Sequence, residues 1–126
     1  MRRTLTCIAG AAALALPLPA CGSTGSGDSA AKGGCGTPTS TIAVQAFDRL
    51  QFDADTFNAS AGCIGVQYTN AGTLAHTLLV KGQKGFKLSI GKSASGSIEL
   101  SAGTYRLYCD LPGHEAAGMH AELIVT

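Results

Sequence analysis

From Thr41 to the C-terminus, apolar side chains recur at every second position in short runs, and turn residues separate the runs. Ile42, Val44 and Ala46 alternate, as do Ile64, Val66 and Tyr68, then Leu78 and Val80 behind His76, then Phe86, Leu88 and Ile90. Ile98 and Leu100 flank Glu99, and Tyr105, Leu107 and Cys109 share one parity. Ala121, Leu123 and Val125 close the chain, with His120, Glu122 and Ile124 on the other face. A period of two is the signature of a strand with one face buried. Asn70-Ala71-Gly72, Gly82, Gly91, Ser95-Gly96-Ser97 and Ala102-Gly103 supply turn chemistry between the runs. No amphipathic helix is evident; only Asp53–Gly62 is ambiguous, with room for a helical turn. Seven to eight short strands at this spacing predict an all-β, antiparallel β-sandwich.

The first residues stand apart from this pattern. Met1-Arg2-Arg3 is a basic start, and Leu5–Leu18 is an apolar run of 14 residues. That run is too short to cross a ~30 Å hydrocarbon core as a helix, and it reads as a secretory signal covering residues 1–20. Leu18-Pro19-Ala20-Cys21 resembles the processing site of bacterial lipoproteins, which implies a lipid-modified Cys21. The alternative is ordinary cleavage near Ala20 that leaves Cys21 free. Residues 22–34, GSTGSGDSAAKGG, contain no large apolar side chain, so residues 21–40 read as a flexible Gly/Ser-rich tether. The folded domain is then 41–126. With 9 basic and 8 acidic residues the net charge is +1, which removes the electrostatic case for nucleic-acid binding.

The segment richest in chemistry is Tyr108-Cys109-Asp110-Leu111-Pro112-Gly113-His114-Glu115-Ala116-Ala117-Gly118-Met119. It sets a thiol, an imidazole and a thioether five residues apart on the loop between the last two predicted strands. A second imidazole, His76, lies on an earlier strand. One thiolate, two imidazoles and a weakly bound Met form the donor set of blue-copper sites. Sulfur suits Cu(I) and imidazole accommodates Cu(II), so a site acceptable to both changes little when an electron moves.

The Cys-x4-His-x4-Met loop, the Gly103-Thr104-Tyr105-Arg106-Leu107-Tyr108-Cys109 run before it and His76-Thr77 after Asn70-Ala71-Gly72 resemble the cupredoxin family, in loop spacing its auracyanin- and rusticyanin-like members. The likeness covers roughly residues 41–126. It implies a Greek-key β-sandwich, one copper ion held by His76, Cys109, His114 and Met119, and single-electron transfer without enzymatic turnover. Thr77 stands where many cupredoxins carry Asn. Three histidines are too few for a multi-copper oxidase or a copper nitrite reductase, and the loop lacks the second cysteine of a binuclear centre.

Other readings stay open at this level. Cys109 alone is compatible with a buried structural thiol, and Met119 with core packing. Cys109, His76, His114 and His120 would suit zinc. A copper storage or delivery role needs the same ligands, and a Cys-His thiol enzyme would need a substrate pocket that nothing in the sequence suggests.

The resemblance further implies electron entry through the His114 edge. Leu111, Pro112, Ala116 and Ala117 surround it without charge and suit brief docking of a redox protein. Lys81, Lys84, Lys87 and Lys92 read as solvated turn residues, or as steering for an acidic partner. Of five cysteines, Cys7 leaves with the signal, Cys21 takes the lipid and Cys109 the copper. Cys35 and Cys63 remain, and in an oxidising compartment they form a disulfide; two free thiols or a Cys21–Cys35 pair are the alternatives. The expectation is a monomeric electron carrier, held by lipid at the outer face of the cytoplasmic membrane or in the periplasm.

Overall fold

The computed structural model describes residues 34–89 and 91–126. The signal, the lipidation site Cys21, most of the tether and Ile90 lie outside the described residues.

Nine strands are formed among the described residues: β1 (Ser40–Phe47), β2 (Gln51–Phe52), β3 (Thr56–Ala59), β4 (Gly62–Asn70), β5 (Thr77–Val80), β6 (Lys87–Ser89), β7 (Ser93–Leu100), β8 (Gly103–Tyr108) and β9 (His120–Val125). They make two sheets, in the orders β2-β1-β4-β7 and β3-β9-β8-β5-β6. The all-β sandwich is therefore as expected, with two departures. The ambiguous stretch holds strand β3 rather than a helical turn, and with the two-residue β2 it raises the strand number to nine. The pairing is also mixed, because β1 runs parallel to β4 and β3 parallel to β9. The chain leaves the first sheet after β2, passes through β3 in the second and returns as β4, so β4 re-enters in the direction of β1.

The alternation is realised where each sheet has one solvated face. Ile42, Val44 and Ala46 of β1 and Ala121, Leu123 and Val125 of β9 are buried, and the residues between them are mostly exposed. Strand β4 differs: Cys63, Ile64, Gly65 and Val66 are buried in succession. Its outer face is covered by the segment before β1, where a Cβ on Gly65 would lie 3.2 Å from the Pro38 ring. Both sheets contribute to one core, with Ile64, Val66 and Tyr68 from the first and Leu78, Leu107 and Leu123 from the second.

The covering segment is bonded in place. Cys35 and Cys63 form a disulfide with a Cα–Cα separation of 5.5 Å, closing a loop of 28 residues. Thr39 N–H donates to the Cys63 carbonyl at 2.8 Å. The register gives the sandwich two distinct ends. Cys63 on β4 pairs with Glu99, and Gly103 on β8 pairs with Val125, at one end. Asn70 at the far end of β4, and the Tyr108–His120 pair, mark the other.

Candidate metal centre

At this second end, three loops meet. The first is the Asp48–Leu50 turn between β1 and β2, tight enough to hold Leu50 at a φ of 58°, a conformation side chains rarely adopt. Its Asp48 carboxylate organises the second loop, Ala71–His76. It accepts the Thr73 N–H at 2.8 Å, the Thr73 hydroxyl at 2.9 Å and the Leu74 N–H at 2.9 Å. Those backbone donors, Leu74 first and then Thr73, hold the Asp48 carboxyl below its ordinary pKa. Asn70 braces the same loop through its side-chain N–H on the Leu74 carbonyl at 2.7 Å. Gly72 is required here, because a Cβ would overlap the Asp48 carboxylate.

This loop delivers His76 to the interior just before β5. The ring is fully buried, and neither nitrogen has a hydrogen-bond partner. Nε2 approaches Asp48 Oδ1 at 3.7 Å, too long for a hydrogen bond. Burial, and then the nearby His114, push the His76 pKa down against the pull of Asp48, so the ring is neutral at pH 7. A buried, neutral, unpartnered imidazole is costly unless something else accepts its lone pair.

The third loop runs from Cys109, just past β8, to Met119, just before β9. Its ends are tied by Cys109 N–H on the Met119 carbonyl at 3.2 Å. Inside it, His114 N–H donates to Leu111 O at 3.1 Å and Met119 N–H to His114 O at 3.0 Å. Gly118, with a φ of 109°, permits the last reversal before β9. The loop presents Cys109 and Met119 fully buried and His114 partly exposed. Cys109 Sγ lies 3.5 Å from His114 Nδ1, and the His76 and His114 rings stand 5.3 Å apart at 59°. One donor atom from each of His76, Cys109 and His114 falls within 4.8 Å of the others. Three soft or borderline donors that converge, with the His76 nitrogens left unpartnered, fit a single thiophilic metal ion.

Thr77 takes over the bracing of the cysteine. Its N–H points at Cys109 Sγ at 3.4 Å, and its hydroxyl oxygen lies 3.3 Å from the same sulfur. The hydroxyl also meets Asp110 Oδ1 at 2.7 Å, and Lys87 Nζ meets Asp110 Oδ2 at 2.6 Å. Partial burial works to raise the Asp110 pKa; the bonds from Lys87 and Thr77 more than reverse it and hold the carboxyl below its usual value.

His76, Cys109 and His114 are thus brought together as the sequence suggested, with Met119 at the end of the same loop. His120 is exposed on the outer face of β9, away from the cluster, so the four-donor zinc arrangement is not assembled. Pro112, Ala116 and Ala117 are exposed beside His114, and Leu111 packs partly on the core. The sequence reading missed Asp48 and the Lys87–Asp110 pair, which no local pattern marks. It also missed Leu74, an exposed large apolar residue two positions before His76.

Residues 83–126 match the Sulfocyanin (SoxE) domain, a segment that contains Cys109, His114 and Met119. No curated protein shows a significant match to the chain. Among solved structures, the Na-dithionite reduced auracyanin from the photosynthetic bacterium Roseiflexus castenholzii is similar, with a TM-score of 0.61 and 21% identity over 71% of this chain and 99% of that one. Auracyanin B is similar with a TM-score of 0.62 and 22% identity, over 75% of this chain and 96% of its own. In its two-sheet sandwich the chain shares the fold of these two auracyanins.

Proposed function

We propose that this protein carries single electrons through one type 1 copper ion held by His76, Cys109, His114 and Met119. The observation that carries the reading is the buried cluster of His76, Cys109 and His114 donors, in which His76 has no partner of its own. Copper bound there would alternate between Cu(II) and Cu(I). The chain's own residues hold the donors fixed: Asp48 pins the His76 loop, Thr77 pins Cys109, and the Cys109–Met119 backbone bond closes the ligand loop. A rigid donor set limits rearrangement between the two oxidation states, which suits a carrier rather than an enzyme.

Electrons enter and leave at the partly exposed His114 edge, where Pro112, Ala116 and Ala117 offer an uncharged surface and Leu111 supports it from below. Redox proteins dock there briefly, since the exposed side chains of Pro112, Ala116 and Ala117 cost little to desolvate. Cys21 carries the lipid that keeps the monomer on the extracytoplasmic side of a bacterial membrane, with residues 22–34 as spacer.

An absorption spectrum of the copper-loaded protein, oxidised and then reduced, tests the central reading. An intense visible band that bleaches on reduction is expected. A colourless protein binding zinc with equal stoichiometry would replace the carrier with a redox-silent module. Copper bound without reversible bleaching would favour storage or delivery. Detergent-dependent extraction of the native protein, lost in Cys21→Ala, tests the anchor.

A further inference from the structure

The Thr77 hydroxyl has one proton and three polar neighbours. Asp110 N–H donates to its oxygen at 3.1 Å, which occupies a lone pair. The proton then has two acceptors to choose from: Asp110 Oδ1 at 2.7 Å and Cys109 Sγ at 3.3 Å. A carboxylate oxygen at that distance makes a short, charge-assisted hydrogen bond, whereas sulfur is a weaker and more distant acceptor. Lys87 holds the other carboxylate oxygen at 2.6 Å and so keeps Oδ1 turned toward Thr77. The Lys87–Asp110 pair is half-exposed and adds little stability by itself; its effect is directional.

We propose that Asp110, oriented by Lys87, is a positioning residue that withdraws the Thr77 hydroxyl proton from Cys109 and thereby sets the donor strength of the cysteine sulfur. The Thr77 N–H at 3.4 Å is then the sulfur's main hydrogen-bond donor. A sulfur with few hydrogen bonds keeps its electron density, binds the oxidised metal more tightly and lowers the reduction potential. The inference rests on the copper reading for its redox consequence, but the placement of the proton does not depend on a metal.

Asp110→Asn supplies the test. Facing Lys87, the amide turns its oxygen outward and its N–H toward the Thr77 oxygen, freeing the hydroxyl proton to reach sulfur. In the copper protein, the sulfur-to-copper band should move to shorter wavelength. The ratio of Cu(I) to Cu(II) affinity should rise roughly tenfold, which is about 59 mV for one electron. Loss of the carboxylate charge alone would also raise the potential, so the decisive comparison is made on a Thr77→Val background. There Asp110→Asn should leave the band in place, while on Thr77→Ser, which keeps the hydroxyl, the band shift should return. An equal band shift with and without the hydroxyl, or a change in potential with no band shift in the single variant, overturns the inference.

A metal-free measurement separates this proposal from the copper reading. The Thr77 hydroxyl proton of the apoprotein should appear in the NMR spectrum as a slowly exchanging resonance, lost or displaced in Asp110→Asn. Its absence from the wild-type spectrum overturns the proton placement. Its presence in a protein that binds no copper would overturn the copper reading and leave the placement standing.

Discussion

The Asp48 carboxylate lies 3.7 Å from Nε2 of His76, although the two residues belong to separate loops, one following β1 and one following its parallel neighbour β4. The same carboxylate takes three hydrogen bonds from Thr73 and Leu74 at 2.8–2.9 Å. It therefore fixes the loop that carries the ring and sets a negative charge beside Nε2, while both ring nitrogens stay without a hydrogen-bond partner. Partners of this kind behind a metal-binding histidine commonly contribute about 10- to 100-fold to affinity. Asp48→Ala should weaken copper binding by roughly that factor, with Asp48→Asn intermediate because its oxygen still accepts from the loop. Competition against a chelator measures both, and affinity unchanged in Asp48→Ala would remove Asp48 from the site.

The same contacts have a pH dependence of definite sign. The folded-state pKa of Asp48 lies below its unfolded value of 3.8. Its stabilising effect is complete above the unfolded value and is lost as pH falls through the folded one. Amide exchange at Thr73 and Leu74, taken relative to the intrinsic rate at each pH, should thus be slow at neutral pH and accelerate only below about pH 4. Acceleration that begins near neutrality would point to a different group.

Cys109→Ser should abolish the visible band of the copper protein, because the intense absorption needs a thiolate. Met119→Leu should keep both metal and colour and raise the potential, since a weak donor favouring Cu(II) is lost. Retention of the band in Cys109→Ser, read by absorption at equal copper content, would exclude this cysteine as the dominant ligand.

Ala116 is exposed near His114, next to Glu115, which pairs with Arg106 at 2.9 Å. Ala116→Glu should slow electron self-exchange by roughly tenfold or more at low salt, as two like charges are brought face to face. The spectrum should not change. A rate equal to wild type, measured by line broadening in mixed oxidation states, would place the exchange surface elsewhere.

The Cys35–Cys63 loop of 28 residues contributes roughly 3–4 kcal/mol in the chain-entropy description of disulfides. Denaturant unfolding of the double Cys→Ser variant should show a loss of that order, while the spectrum of the remaining folded protein stays the same. A matched stability would mean that the segment before β1 is held by its hydrogen bonds and by Pro38 packing alone.

Most of the sandwich was legible because its cause is local. In β1 and β9 the alternation of Ile42, Val44 and Ala46, and of Ala121, Leu123 and Val125, translates directly into buried and exposed faces. The Cys109–Met119 loop was legible because Cys109, His114 and Met119 are spaced on one continuous segment. Strand β4 was only half legible: burial of Cys63 and Gly65 depends on a segment folded back from before β1. Strand β3 was not legible, because its partner is β9, at the other end of the chain. Asp48 and the Lys87–Asp110 pair escaped for the same reason. Their roles arise from turns brought together by the sheets, and no periodicity in sequence marks a carboxylate that serves a loop on another strand.

The disulfide sits at the opposite pole of the sandwich from His114, separated by the length of β4, nine residues and so about 30 Å. Gly34, the residue before the disulfide, lies at that far pole. Whatever grips the protein by its N-terminal segment therefore holds it by the heel, with the His114 edge aimed outward like the tip of a probe.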